Sequence, residues 1–207
     1  ALRRKLKENE LEAYLVLHPA NRYYLSGFEL HDPQCNESAG CLLITAAGYD
    51  WLCTDGRFLE AARQCWPEEE IFCYTGNRAA QLAEFLGDRV SRLGFETRIM
   101  SHELFDGLRG SLELLPMRGL VEELRTVKDE SEIEALRRSC RLNHDVLAWI
   151  ESQHLAGGSE AELAWELERS FREGGATELA FPPIVASGPN AARPHHQPTD
   201  AHIADEA

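Results

Sequence analysis

The sequence changes character at Arg125-Thr-Val-Lys-Asp129, and this limits the fold more than any single motif. Before it, short apolar runs alternate with amphipathic stretches. After it, Asp129 to about Gln153 reads as one helix of about 24 residues, roughly 36 Å long at about 1.5 Å per residue. Strands alternating with helices call for a layered α/β domain, and a long helix opens a different architecture. A chain of 207 residues can hold one large domain or two small ones.

Leu2 to Leu11 is charged, with Leu2 and Leu6 four apart, and reads as an amphipathic first helix. Ala13-Tyr-Leu-Val-Leu17 is a strand candidate that Pro19-Ala-Asn21 breaks. Tyr23-Tyr-Leu25 leads to Gly27, and His31 to Gly40 is a polar loop. Cys41-Leu-Leu-Ile-Thr45 and Tyr49-Asp-Trp-Leu-Cys-Thr54 flank Ala46-Ala-Gly48, which predicts a β-hairpin. Phe58 to Cys65 reads as helix and Glu70 to Tyr74 as strand. Ala79 to Leu86 is a helix with Leu82, Phe85 and Leu86 on one face. Val90 to Phe95 is another strand candidate, and Ser101 caps a helix reaching toward Leu112. The mixed α/β domain closes near Leu124.

In the second part, Ile133, Leu136, Cys140, Leu147 and Ile150 form the apolar stripe of the long helix, and Glu134 pairs with Arg138 on its wet side. Ser159-x-x-Glu162 is a capping box opening a helix to about Glu173, with Leu163, Leu167 and Phe171 inward. Gly174-Gly175 ends it. Phe181-Pro-Pro-Ile-Val-Ala186 reads as a strand with no partner, and the last twenty residues read as loop. Two helices and one strand are too little for a stable domain, so the expectation is a domain that is incomplete here or is completed by something outside this sequence.

Net charge is −14, which argues against nucleic acid and anionic membrane as partners. The six cysteines form no C-x-x-C pair, and those in strand-like runs, Cys41, Cys53 and Cys73, read as buried free thiols of a reducing compartment. With no bilayer-spanning run and a polar start, the expected location is cytoplasmic.

No Gly-rich phosphate loop, H-E-x-x-H or G-x-S-x-G is present. Thr54-Asp-Gly-Arg57 could hold an ion pair over a turn or simply start a helix. His31 and Asp32 could touch a ligand or be solvated. His195 and His196, bracketed by Pro194 and Pro198, sit on a stiff extended segment. They could aim an acid/base group or be two solvated histidines. His195, His196 and His202 are metal ligands by type, yet a site needs three or four convergent groups with supporting hydrogen bonds.

As an ordered set these pieces resemble the prolidase and Xaa-Pro aminopeptidase branch of the pita-bread (creatinase/aminopeptidase) metallopeptidases. The matching residues are Tyr24-Leu-Ser-Gly-Phe28, the hairpin and Thr54-Asp-Gly-Arg57, then Leu124-Arg-x-Val-Lys-Asp-x-x-Glu-Ile133, and finally Phe181-Pro-Pro-Ile-Val-Ala-Ser-Gly188 with Asn190 and Pro194-His195. The resemblance implies an α/β creatinase-like N-terminal domain over residues 1–124, followed by the first part of an α+β pita-bread catalytic domain over 125–207. It implies that His195 is the active-site histidine, hydrogen-bonding substrate or stabilising the tetrahedral intermediate, with His196 at a position the family varies. The His31 to Glu37 loop resembles a segment that approaches the neighbouring subunit of a homodimer.

The resemblance further implies hydrolysis of the bond before proline in a peptide substrate by two divalent metal ions, Mn, Co or Zn. Two aspartates, a histidine and two glutamates hold them in the family. Those ligands are expected past Ala207, so this chain supplies none and is expected not to turn over substrate by itself. Two other functions stay open: a non-catalytic relative serving as a dimerisation or peptide-binding module, and a metal-free creatinase-type amidinohydrolase.

Overall fold

The hairpin supplies two inner strands of a six-stranded sheet with strand order β4-β3-β2-β1-β5-β6. The computed structural model describes residues 1–28, 38–152 and 157–203. It divides into two compact units, Ala1–Val127 and Lys128–Ala207.

In the first unit, β1 (Ala13–Val16) pairs antiparallel with β2 (Gly40–Thr45) and parallel with β5 (Arg92–Glu96). β2 continues through the hairpin into β3 (Trp51–Asp55), with Cys41 opposite Cys53 and Leu43 opposite Trp51. The parallel neighbours β4 (Ile71–Tyr74) and β6 (Glu113–Met117) form the two edges. β1 and β2 are buried along their whole length, as expected of central strands covered on both faces. Alternate side chains therefore enter two cores. Ala13, Leu15, Cys41 and Leu43 meet Leu82 and Leu86 of α4 (Arg78–Gly87) and Leu104 and Leu108 of α5 (His102–Leu108). Tyr14, Val16, Leu42 and Ile44 meet Leu2 and Leu6 of α1 (Leu2–Glu8) and Ala62 of α3 (Leu59–Cys65).

The Pro19 break also starts a helix. Pro19 occupies the first turn of α2 (Pro19–Ser26), where its missing N–H is not needed. The buried Glu96 carboxylate accepts from the backbone N–H groups of Leu17 and His18, both at 2.6 Å, and from Asn21 Nδ2. An anion is favourable at that helix end. Arg22, buried, donates to the carbonyls of Leu17 and Gly40 and ties the end of β1 to the start of β2.

Some expectations are corrected. The Ser101-capped helix ends at Leu108, and Glu113–Met117 becomes an edge strand despite Pro116, a position where a missing donor is tolerated. A further short helix, α6 (Glu122–Thr126), closes the unit. Asp55 and Arg57 form both the turn and the ion pair, with Nη2 2.9 Å from Oδ2. Cys73 is only half-buried, whereas Cys41 and Cys53 are buried. Cys35, His31, Asp32 and the His31 to Glu37 loop lie outside the described residues.

In the second unit, α7 (Glu130–Ser152) is the long helix, and its covered side differs from the expected stripe. Val146 is buried and Leu142, Trp149 and Ile150 are half-buried, whereas Leu136 is 53% exposed and Leu147 57%. The helix carries apolar residues on two sides, and spacing alone cannot say which side meets a neighbour. Glu134 takes Arg141 at 2.7 Å and Arg137 at 3.6 Å rather than Arg138. α8 (Glu160–Glu173) ends in a Schellman turn: Ala176 N–H donates to the Phe171 carbonyl, and Gly175 sits at φ 99°. Phe181 to Ala186 forms no strand, and Phe181 is 72% exposed. Pro182 and Pro183 remove adjacent donors, and no described residue pairs with the segment.

Candidate functional site

The capping box fixes where the site begins. Ser159 Oγ accepts from Glu162 N–H at 3.2 Å, and Glu162 Oε2 accepts from Ser159 N–H at 2.8 Å. The other free donors of this helix end are taken by residues 199–201, which fold back on it. Glu160 N–H donates to the Ala201 carbonyl and Ala161 N–H to that of Thr199, beside a bridge between Ser159 and His202. The terminal segment, expected to be loop, is thus tied to the start of α8.

This geometry leaves Glu160 at the first helical position with its side chain fully buried. Its carboxylate collects the donors of the following loop. Oε1 accepts from Ser187 N–H at 2.8 Å and from Asn190 Nδ2 at 3.0 Å, with the Ser187 hydroxyl farther off at 3.4 Å. Oε2 accepts from His196 Nε2 at 2.7 Å, Thr199 Oγ1 at 2.9 Å and Thr199 N–H at 3.2 Å. Burial opposes ionisation, but the Ser187 N–H above all, then the donors of His196, Asn190 and Thr199, hold the carboxyl well below the usual carboxylate range. An ionised carboxylate only accepts, so Nε2 of His196 carries the proton.

The two histidines therefore part company. His196 is buried against Glu160, so the alternative of two solvated histidines does not hold for it. Its N–H donates to the Arg193 carbonyl and closes a turn that leaves the neighbouring His195 exposed. Among the described residues the His195 ring makes no hydrogen bond. His202 is exposed at the bridge with Ser159. The three histidines do not converge. Among the described residues no group of three His, Cys, Asp or Glu side chains could hold a metal ion. The described residues thus do not form a divalent-metal site.

Sequence reasoning singled out His195, His196 and His202 but not Glu160. Its only sequence signal was an acidic residue just inside the capping box, which is ordinary at an exposed helix start. Burial, and the assembly of its donors from up to 39 positions along the chain, come from the tertiary fold.

Residues 1–127 match the Creatinase/Prolidase N-terminal domain, and residues 134–207 match Metallopeptidase family M24. An uncharacterised peptidase, YqhT, of Bacillus subtilis is 30% identical over 93% of this chain and 54% of its own length. A putative Xaa-Pro aminopeptidase of Mycoplasma genitalium is 29% identical over 94% of this chain and 52% of its own. The chain spans about half the length of the curated relatives it matches. Among solved structures, an Xaa-Pro dipeptidase from Bacillus anthracis superposes with a TM-score of 0.81 at 29% identity, covering 98% of this chain and 56% of that one. A prolidase from Thermococcus sibiricus gives 0.83 at 27% identity over the same shares. Both the family and the fold class that the resemblance implied are borne out. The chain belongs to the creatinase/prolidase family, with a creatinase/prolidase N-terminal domain followed by sequence of metallopeptidase family M24.

Proposed function

We propose that the complete protein is an Xaa-Pro peptidase of prolidase or aminopeptidase P type, hydrolysing the bond before proline, with His195 in its active site. One observation carries this reading: within the M24-matching segment, a loop wrapped on a buried carboxylate presents an exposed imidazole with no partner of its own among the described residues. Such a group can hydrogen-bond a peptide at the scissile bond and stabilise charge that develops there. The names of the relatives, an Xaa-Pro aminopeptidase and an Xaa-Pro dipeptidase, support the substrate class. Two divalent ions, Mn, Co or Zn, would be held by residues other than those described.

The same reading assigns residues 1–124 to a domain that helps build a homodimer and residues from 125 to the catalytic domain. It places the protein in the cytoplasm, which the free thiols of Cys41, Cys53, Cys65, Cys73 and Cys140 support. No helix among the described residues is long and apolar enough to cross a membrane.

The test is cleavage of an Xaa-Pro dipeptide by the complete protein with Mn²⁺ or Co²⁺. Activity should vanish with a chelator, and His195→Ala should lower kcat by roughly 10²-fold or more. Full activity in His195→Ala would remove that residue from the mechanism. Absence of Xaa-Pro cleavage under all metal conditions would remove the peptidase reading.

A further inference from the structure

We propose that Glu160 and His196 are the positioning residues of His195; the role rests on the active-site reading of His195 above. The loop from Ser187 to Thr199 is already short of freedom, because Pro189, Pro194 and Pro198 each fix a φ angle. Glu160 removes much of what remains. It grips the loop on both sides of His195, through Ser187 and Asn190 upstream and through His196 and Thr199 downstream. Each of these contacts is an N–H or O–H donor, so the site calls for an acceptor-only group. A glutamine there would turn an NH₂ toward donors and leave them unpaired in a place water does not reach.

His196 supplies the anchor nearest the working residue. Its ring is buried and held at 2.7 Å, and it adjoins His195 in a closed turn. The His-His pair is therefore a division of labour: the second histidine fixes the backbone from which the first projects. A small rotation of that backbone would move the His195 ring by an ångström or so, enough to reduce a well-aligned reaction on the order of 10²-fold.

The experiment is a double-mutant cycle in the complete, metal-loaded enzyme, with metal content and melting temperature read alongside. Glu160→Gln and His196→Leu should each lower kcat about 10- to 100-fold with KM within about threefold. His196→Gln, whose amide nitrogen can stand where Nε2 stands, should recover most of kcat. In a His195→Ala background, Glu160→Gln should cause no further loss, because its effect passes through the missing ring. An equal loss in that background would mean that Glu160 only holds the domain together, and would overturn the proposal. So would unchanged kcat in Glu160→Gln while His195→Ala is inactive, an outcome that leaves the peptidase reading standing. Full activity of His195→Ala would defeat both. If Glu160→Gln does not fold, the cycle is run with His196→Leu and His196→Gln, and failure of the glutamine to rescue would overturn the proposal.

Discussion

Glu160 Oε2 accepts a 2.7 Å hydrogen bond from Nε2 of His196, with both side chains out of water and 36 positions apart in sequence. The contact joins the first residue of a helix to the loop that presents His195. An acceptor surrounded by donors in a dry site is costly to replace, because every unpaired donor keeps its desolvation penalty.

Acid should expose this contact first. The folded state holds Glu160 below its ordinary value of 4.5, so between the two values the unfolded chain binds more protons. The stabilisation is fully present above pH 4.5 and is lost as pH falls below it. Urea unfolding followed across that range should show the slope, and Glu160→Gln should flatten it while lowering stability at neutral pH. A slope unchanged in the variant would place the acid sensitivity elsewhere.

The centre of the N-terminal sheet should be the most sensitive place to lost volume. Leu15 on β1 is fully buried in one core, and Leu15→Ala should cost about 2–5 kcal/mol in urea unfolding. Adding volume should also hurt at Gly94 on β5, where a Cβ would lie 2.7 Å from Leu11 Cδ1 and 2.9 Å from Tyr14 Cδ2. Gly94→Ala should destabilise by about 1–3 kcal/mol, and an unchanged midpoint would contradict this packing.

Both ends of α8 are chemically specified. Ser159→Ala removes the cap on Glu162 N–H and should cost about 1 kcal/mol. Gly175→Ala forces a Cβ into φ 99° and should cost about 1–3 kcal/mol. Thermal unfolding of the two variants and their combination should show nearly additive losses, since the sites are at opposite ends of one helix.

Thiol chemistry should sort the cysteines by position in the fold. Exposed Cys65 and Cys140 should alkylate quickly under native conditions, Cys73 more slowly, and Cys41 and Cys53 only on unfolding. Mass spectrometry of timed iodoacetamide labelling reads the order directly. Fast labelling of Cys53 in the folded protein would contradict its place inside the sheet.

The alternation of short apolar runs and amphipathic stretches, the hairpin, the capping box and the Gly174-Gly175 stop were legible because each is a local rule of period, cap or turn. So was the ordered motif set ending in Pro194-His195. What residue spacing could not supply was choice among neighbours. It carried the Ser101 helix toward Leu112 and left the edge strand Glu113–Met117 unassigned, and it chose Leu136, Cys140 and Leu147 over Leu142 and Val146 as the covered side of α7. Nor could it see that Glu160 is buried or that His196, not His195, is the histidine held inside. Those facts depend on which distant donors a carboxylate meets once the chain has closed, and the tertiary structure decided them because desolvation and hydrogen bonding are set by three-dimensional proximity rather than by local period.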